Sequence, residues 1–183
     1  MIIKETKLKG CFVLEPNVFQ DKRGYFLESY NQIIFNEAIG LNVNFVQDNE
    51  SFSSKGVLRG LHYQTGEYAQ AKLVRVIKGK VLDVCVDLRQ ESETFSNYFS
   101  IILDDKDNKQ IFIPRGFAHG FLVLENDTIF SYKCDNYYNK SSENGILYND
   151  NSINIEWNFP ESQLILSVKD KNLPTFETLF KWI

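Results

Sequence analysis

A mainly β protein closed into a barrel is the architecture this sequence predicts, and three observations carry the expectation. Most segments are short, alternate apolar with polar residues and are interrupted by turn residues at intervals of about 8–12 positions, the pattern of antiparallel sandwiches and barrels. Val81 to Leu88 is the clearest strand, rich in β-branched residues and preceded by the turn Lys78-Gly79-Lys80. In the first part of the chain only Gln32 to Ile39 reads as helical, so sheet dominates.

Taken in order, strands are expected at Gly24 to Ser29 and Asn44 to Asp48, with the helix Gln32 to Ile39 between them. Ile33, Ile34, Glu37 and Ala38 give that helix a 3.6-residue stripe, and Gly40 terminates it. Ala71 to Ile77 reads as the hairpin partner of Val81 to Leu88. Further strands follow at Phe99 to Leu103, Lys109 to Ile113, Gly120 to Leu124 and Thr128 to Cys134. After Trp157, Pro160 and Pro174 break any long element, and this tail is expected to wrap the barrel as loops with a short helix. No linker or repeat divides the chain, so residues 1–183 read as one domain.

Composition narrows the function. With 43% hydrophobic residues the chain has enough apolar side chains for a core. Cys11, Cys85 and Cys134 are odd in number and far apart, without CxxC spacing, which predicts neither a disulfide framework nor a zinc knuckle. Lys4 and Glu5 arrive too early for a signal peptide, and no run approaches the roughly 20 apolar residues of a membrane span; a cytoplasmic protein without a membrane partner is expected. A formal net charge of −4 argues against broad nucleic-acid binding and leaves room for a local basic pocket.

Only two histidines are present, so each can be weighed singly as a proton-transfer group. His62 lies in Arg59-Gly60-Leu61-His62-Tyr63-Gln64, and His119 closes Pro114-Arg115-Gly116-Phe117-Ala118-His119. Two glycine-punctuated histidine segments suggest one site built from separate strands. An isolated histidine serves equally well as a core residue held by a backbone carbonyl, so both readings stand. Arg59 offers a planar fork for phosphate or carboxylate, and Lys72 a compact charge able to stabilise an oxyanion. Tyr132 shares a strand face with Phe130 and Cys134 and is either core filling or a proton donor. Tyr137-Tyr138 is either edge packing or a stacking platform, and Asp170 is a carboxylate able to orient an imidazole. Metal binding is the competing chemistry, because Pro114-x-Gly116-x-x-His119 matches the second motif of the cupin barrels. The first cupin motif expects a second histidine where Gln64 stands, so the usual three-ligand site is short of an imidazole, and no metal is expected.

The ordered string of motifs is more specific than any one residue. Gln20-Asp21-Lys22-Arg23-Gly24-Tyr25-Phe26-Leu27-Glu28, Gln47-Asp48-Asn49, Arg59 to Gln64, Gln70-Ala71-Lys72-Leu73-Val74, Asp83 to Arg89, Pro114 to Phe121 and Lys169-Asp170 closely resemble the dTDP-4-dehydrorhamnose 3,5-epimerase family, in order and over nearly the whole chain. The resemblance implies a cupin-type jelly roll, or double-stranded β-helix, with short peripheral helices. It further implies a homodimer that uses no metal or organic cofactor and acts on a nucleotide sugar, dTDP-4-dehydro-6-deoxy-D-glucose, in the dTDP-L-rhamnose pathway. By the same resemblance His62 is the base, Asp170 its orienting partner, Lys72 the group facing the enolate oxygen and Tyr132 the acid. Arg23 and Arg59 match diphosphate contacts, Glu28, Gln47, Asn49, His119, Glu143 and Lys169 match other ligand contacts, and Tyr138 matches the residue that stacks on thymine. The chain departs from the family pattern at Ser96, Tyr98 and Asn154 to Asn158, none of them a site position. The alternatives are an epimerase acting at C3 or C5 alone, a keto-isomerase, or a non-enzymatic cupin that binds a sugar nucleotide.

Overall fold

The computed structural model describes residues 1–180; residues 181–183, the end of the expected domain, lie outside the described residues. Thirteen strands are present among them, most of them in two antiparallel sheets. Strands β1 (Ile2–Glu5), β2 (Phe12–Glu15), β10 (Gln110–Ile113), β7 (Lys72–Lys78), β12 (Thr128–Cys134) and β5 (Gln47–Ser53) form one sheet in that order. The other runs β13 (Glu143–Gly145), β6 (Leu58–Gln64), β11 (Phe117–Val123), β8 (Lys80–Asp87) and β9 (Tyr98–Asp104). Strands β3 (Val18–Asp21) and β4 (Gly24–Leu27) make a separate hairpin.

Alternation builds the layers. Val74, Val76, Ile111, Ile113 and Phe130 from the first sheet meet Val81, Cys85, Leu103, Phe121 and Val123 from the second, closing a cupin-type jelly roll around a shared core. Fully burying a side chain such as Phe130 contributes about 1.5–3 kcal/mol. The outer face of the second sheet is covered by the C-terminal tail, where Val84, Val86 and Leu122 pack with Ile146, Tyr148 and Trp157. That double burial explains why β8 reads so clearly as a strand.

Helix α1 (Gln32–Ile39) has the expected bounds, fixed by the Asn31 side chain accepting from the Ile33 and Ile34 amides and by Gly40 at φ +68°. Its buried face differs from the expected stripe. Phe35 and Ile39 pack on Leu14, Leu73 and Phe112, whereas Ile33 is 70% exposed. An i, i+4 pair with an aromatic member fills the gap over the first sheet better than the two adjacent isoleucines.

Two other expectations need correction. Strands β7 and β8 are not a hairpin: β7 pairs with β10 and β12, and β8 with β9 and β11, so both edges of each strand are already used. Lys78-Gly79-Lys80 is instead a corner between sheets, with Gly79 at φ +86° and room for no side chain, since a Cβ there would lie 2.3 Å from Thr128 Oγ1. Strand β5 runs over residues 47–53 rather than 44–48, and its polar Gln-Asp-Asn-Glu-Ser sequence hides it from a hydrophobic pattern. Strand β6 (Leu58–Gln64), the one carrying His62, is suggested in the sequence only by its histidine segment, with no bounds assigned. The tail contains two short helices, α2 (Val168–Lys171) and α3 (Phe176–Leu179). Among the described residues no helix is long and apolar enough to cross a membrane.

Candidate active site

One irregularity in β6 builds the site. His119 on β11 pairs with His62, and Phe121 pairs with Arg59, so Gly120 alone stands opposite Gly60 and Leu61. The extra residue flips the alternation and places Arg59 and His62, three positions apart, on the same inner face. The sequence allows it because Gly60 sits at φ +129°, and a Cβ there would lie 2.5 Å from Gly120 Cα. Leu58 and Leu61 stay on the outer face with the tail.

His62 Nε2 lies 2.6 Å from Asp170 Oδ1. Asp170 is held on α2 by Ser167, whose hydroxyl accepts from the Asp170 amide at 3.0 Å and donates to Oδ2 at 2.8 Å. Burial pushes this carboxyl up, but the hydrogen bonds from His62 and Ser167 outweigh it and leave Asp170 below its ordinary pKa. An ionised carboxylate only accepts, so Nε2 donates, and in the neutral imidazole Nδ1 is then the nitrogen with the lone pair of a base.

His119 forms a second such pair. It is buried, its Nε2 lies 2.9 Å from Asp83 Oδ2, and its ring lies near-parallel to Phe130. Burial lowers its pKa against the opposing pull of Asp83. Asp83 is fully buried, and its Oδ1 has no partner among the described residues.

Lys72 and Tyr132 enter from the first sheet, the ammonium 5.9 Å from the Tyr132 ring centroid. Burial lowers the Lys72 pKa, opposed by Cys134, Asp83 and Glu143. Burial also raises the Tyr132 phenol, which therefore stays protonated. Beside them the Cys134 thiol is pushed up to about 11, chiefly by burial, and accepts a 3.6 Å contact from Asn49 Nδ2.

These side chains line a cleft with two lobes. One, of about 370 Å³, is bounded by Asn49, Arg59, His62, Lys72, His119, Tyr132, Lys169 and Asp170. The other, of about 330 Å³, shares Asn49, His62, Lys72 and Tyr132 and adds Gln47, Gln64, Cys134, Tyr138 and Glu143. In the second lobe the Tyr138 hydroxyl donates to Glu143 Oε2 at 3.0 Å, and Glu143 pairs with Lys169 at 2.6 Å. Burial raises the Glu143 carboxyl, but Lys169 and Tyr138 outweigh it and set it below its usual range.

Eleven of the thirteen site residues expected from the sequence thus border one cleft. Arg23 and Glu28 do not. Arg23 is at the tip of the β3–β4 hairpin, 84% exposed and paired with Asp21, and Glu28 contacts Asn31 near α1. Asp83, Ser167, Cys134 and the buried Gln64 amide were not picked out as parts of the site. Asp83 had a legible signal, an acid between Val81 and Cys85 on the apolar face of a strand. Among the described residues no three His, Cys, Asp or Glu side chains converge as a metal-ligand set.

A carboxylate-oriented imidazole, a half-buried ammonium and a half-buried phenol converging in one cleft of a jelly roll define an acid–base enzyme of the cupin class. The family model for dTDP-4-dehydrorhamnose 3,5-epimerase matches residues 5–178, and the chain belongs to that family. It is 51% identical over 172 residues to the dTDP-4-dehydrorhamnose 3,5-epimerase of Shigella flexneri, covering 94% of each chain. The crystal structure of the enzyme of that name from Elizabethkingia anophelis NUHP1 superposes with a TM-score of 0.94 at 53% identity, covering 97% of both chains. A Legionella pneumophila dTDP-6-deoxy-D-glucose-3,5-epimerase, crystallised in complex with dTDP-4-keto-L-rhamnose, gives a TM-score of 0.91 at 44% identity over 95% of this chain and 92% of that one.

Proposed function

We propose that this chain inverts C3 and C5 of dTDP-4-dehydro-6-deoxy-D-glucose to give dTDP-4-dehydro-L-rhamnose, in dTDP-L-rhamnose biosynthesis. The observation that carries the reading is the His62–Asp170 pair opening on the same cleft as Lys72 and Tyr132. The 4-keto group acidifies the protons on both neighbouring carbons. His62 removes one; the C–H electrons move into the ring as an enolate whose oxygen carries the charge beside the Lys72 ammonium. The Tyr132 hydroxyl then returns a proton to the opposite face of the carbon. Solvent resets the imidazolium and the phenolate, leaving no net change in protons, and the sequence repeats at the second carbon.

Arg59, an exposed residue lining the cleft, suits the diphosphate, with Tyr138 as the plate for thymine and Gln47, Asn49, His119, Glu143 and Lys169 as further contacts. We further propose that residues 1–183 act as one domain within a homodimer. Two features support the dimer: Arg23 and Glu28 fall outside the cleft of their own chain, and their hairpin exposes Phe19 and Phe26 at 64% and 69%. In a dimer the hairpin of one protomer supplies Arg23 to the cleft of its partner. A cytoplasmic setting suits the three free, buried cysteines.

Incubating the dTDP-linked keto sugar with the protein in D₂O, and following C3 and C5 by NMR, tests the reaction. Deuterium at both carbons with inversion is the expected result. Incorporation at one carbon alone overturns the double epimerisation, and a displaced carbonyl overturns epimerisation altogether.

A further inference from the structure

Gln64 occupies the place where a metal-binding cupin carries its second histidine, and it is 7% exposed. Every polar atom of its amide is engaged with backbone. Nε2 donates to Tyr68 O at 2.8 Å and to Tyr137 O at 3.1 Å, while Oε1 accepts from Asn139 N at 2.6 Å. The last two groups belong to the peptide units immediately before and after Tyr138. A single side chain of the second sheet therefore fixes both peptide planes flanking that residue. From the first sheet, Gln47 Oε1 accepts the intervening Tyr138 amide at 3.0 Å.

The Tyr138 ring itself is 54% exposed at the mouth of the cleft. Ordering a segment costs conformational entropy, and burial of this ring does not offset that cost. A backbone pinned from two sheets beneath an exposed aromatic is arranged for contact with something else: the plate is held before the ligand arrives.

We propose that Gln64 is a positioning residue for nucleotide recognition: its amide sets the Tyr138 backbone so that the aromatic plate is preorganised for the base of the substrate. The inference rests on the nucleotide-sugar reading of the cleft and assigns Gln64 a role in ground-state binding alone. The ligand contact that suffers is the one with the Tyr138 ring, and none of the Gln64 hydrogen bonds goes to His62, Lys72 or Tyr132, so turnover at saturation is expected to be preserved.

Gln64→Met keeps the side-chain length and removes all three hydrogen bonds. Its expected effect is a rise of roughly tenfold in KM and in the Kd of dTDP measured by calorimetry, within the range found for a lost base–aromatic stack, with kcat within about twofold of wild type. In a double-mutant cycle, adding Gln64→Met to Tyr138→Ala weakens dTDP binding by no more than about twofold, because the two changes act through one contact. Additive losses, or a kcat defect without a KM defect, overturn the proposal. Should Gln64→Met fail to fold, Gln64→Glu retains the Asn139 bond and turns a carboxylate oxygen towards two carbonyls. Its KM defect then shrinks as pH falls and the acid regains a proton to donate; a defect independent of pH counts against the role. Failure of wild-type protein to bind dTDP overturns instead the nucleotide-sugar reading on which this proposal stands.

Discussion

His62 and Asp170 are 108 residues apart in the chain and 2.6 Å apart in the fold. The strand that carries His62 is held by its neighbours in the sheet, whereas the carboxylate is carried on a four-residue helix of the tail. In the proposed mechanism catalysis depends on the tail being docked, and each partner can be tested by itself.

His62→Ala is expected to abolish deuterium exchange at C3 and C5 while dTDP binding persists. Asp170→Asn leaves the imidazole in place but removes the acceptor that fixes its tautomer; by comparison with other carboxylate–histidine pairs the loss in kcat is up to about 10⁴-fold. NMR exchange rates and calorimetry read the two effects. Exchange at the wild-type rate in His62→Ala sinks the assignment of the base.

Lys72→Met should lower kcat by about 10²–10³-fold, the usual cost of one donor to a developing oxyanion, with little change in KM. Tyr132→Phe should separate two steps that run together in the wild type. Deuterium still enters the substrate from the His62 side, but inversion falls by about 10²–10⁴-fold. Equal losses of exchange and inversion would remove Tyr132 from the role of acid.

Mixing subunits tests where Arg23 acts. His62→Ala and Arg23→Ala are each expected to be nearly inactive alone. Unfolded together and refolded as a statistical mixture of dimers, they should regain about a quarter of wild-type activity, since half the dimers carry one intact site. No recovery means that Arg23 serves its own chain.

Gly60→Ala adds a Cβ against Gly120 at a positive φ. The strained backbone alone costs of order 1–3 kcal/mol, and the displacement of Arg59 relative to His62 should raise KM as well. Urea unfolding and steady-state kinetics on the same preparation measure both.

Asp87 stands apart from the cleft and links stability to acid pH. It is fully buried, accepts from Arg89, Ser92 and Thr94, and those bonds outweigh burial to bring its pKa from 3.8 down to about 2. A folded-state pKa below the unfolded one stabilises above pH 3.8 and ceases to do so as pH falls through 2. Asp87→Asn should therefore cost roughly 2 kcal/mol at pH 7 and about half of that at pH 3. A deficit that does not change between those two pH values refutes the linkage.

How much of this was legible in the sequence depended on which force dominated locally. Thr128 to Cys134 and Gln32 to Ile39 were readable to the residue, because the alternation that puts Phe130, Tyr132 and Cys134 on one face and the terminating Gly40 are local signals. Strand β5 escaped because its side chains bind and bridge instead of filling a core. The bounds of strand β6 escaped because Gly60 interrupts the alternation on which strand reading depends. The false hairpin of β7 and β8 shows the limit of turn chemistry: a glycine at positive φ marks a reversal, yet only the pairing of distant strands decides whether the chain folds back or changes sheets. The cleft was legible in its strand residues and obscure in Gln64, whose partners Tyr137 and Asn139 come from a segment far away in sequence.

The irregularity at Gly60 has a metric consequence. Under regular alternation Arg59 would point outward among the apolar tail residues, and grip and base would have to come from separate elements whose spacing drifts with every loop. With the extra residue in place, one strand carries both, and the three steps from Arg59 to His62 cover only two positions of β11. In the proposed reaction β6 is thus a ruler of about 7 Å between the group that grips the anionic end of the ligand and the base. Its graduation is set by the backbone, so changes in the surrounding loops can alter which sugar is admitted without altering where the proton is taken.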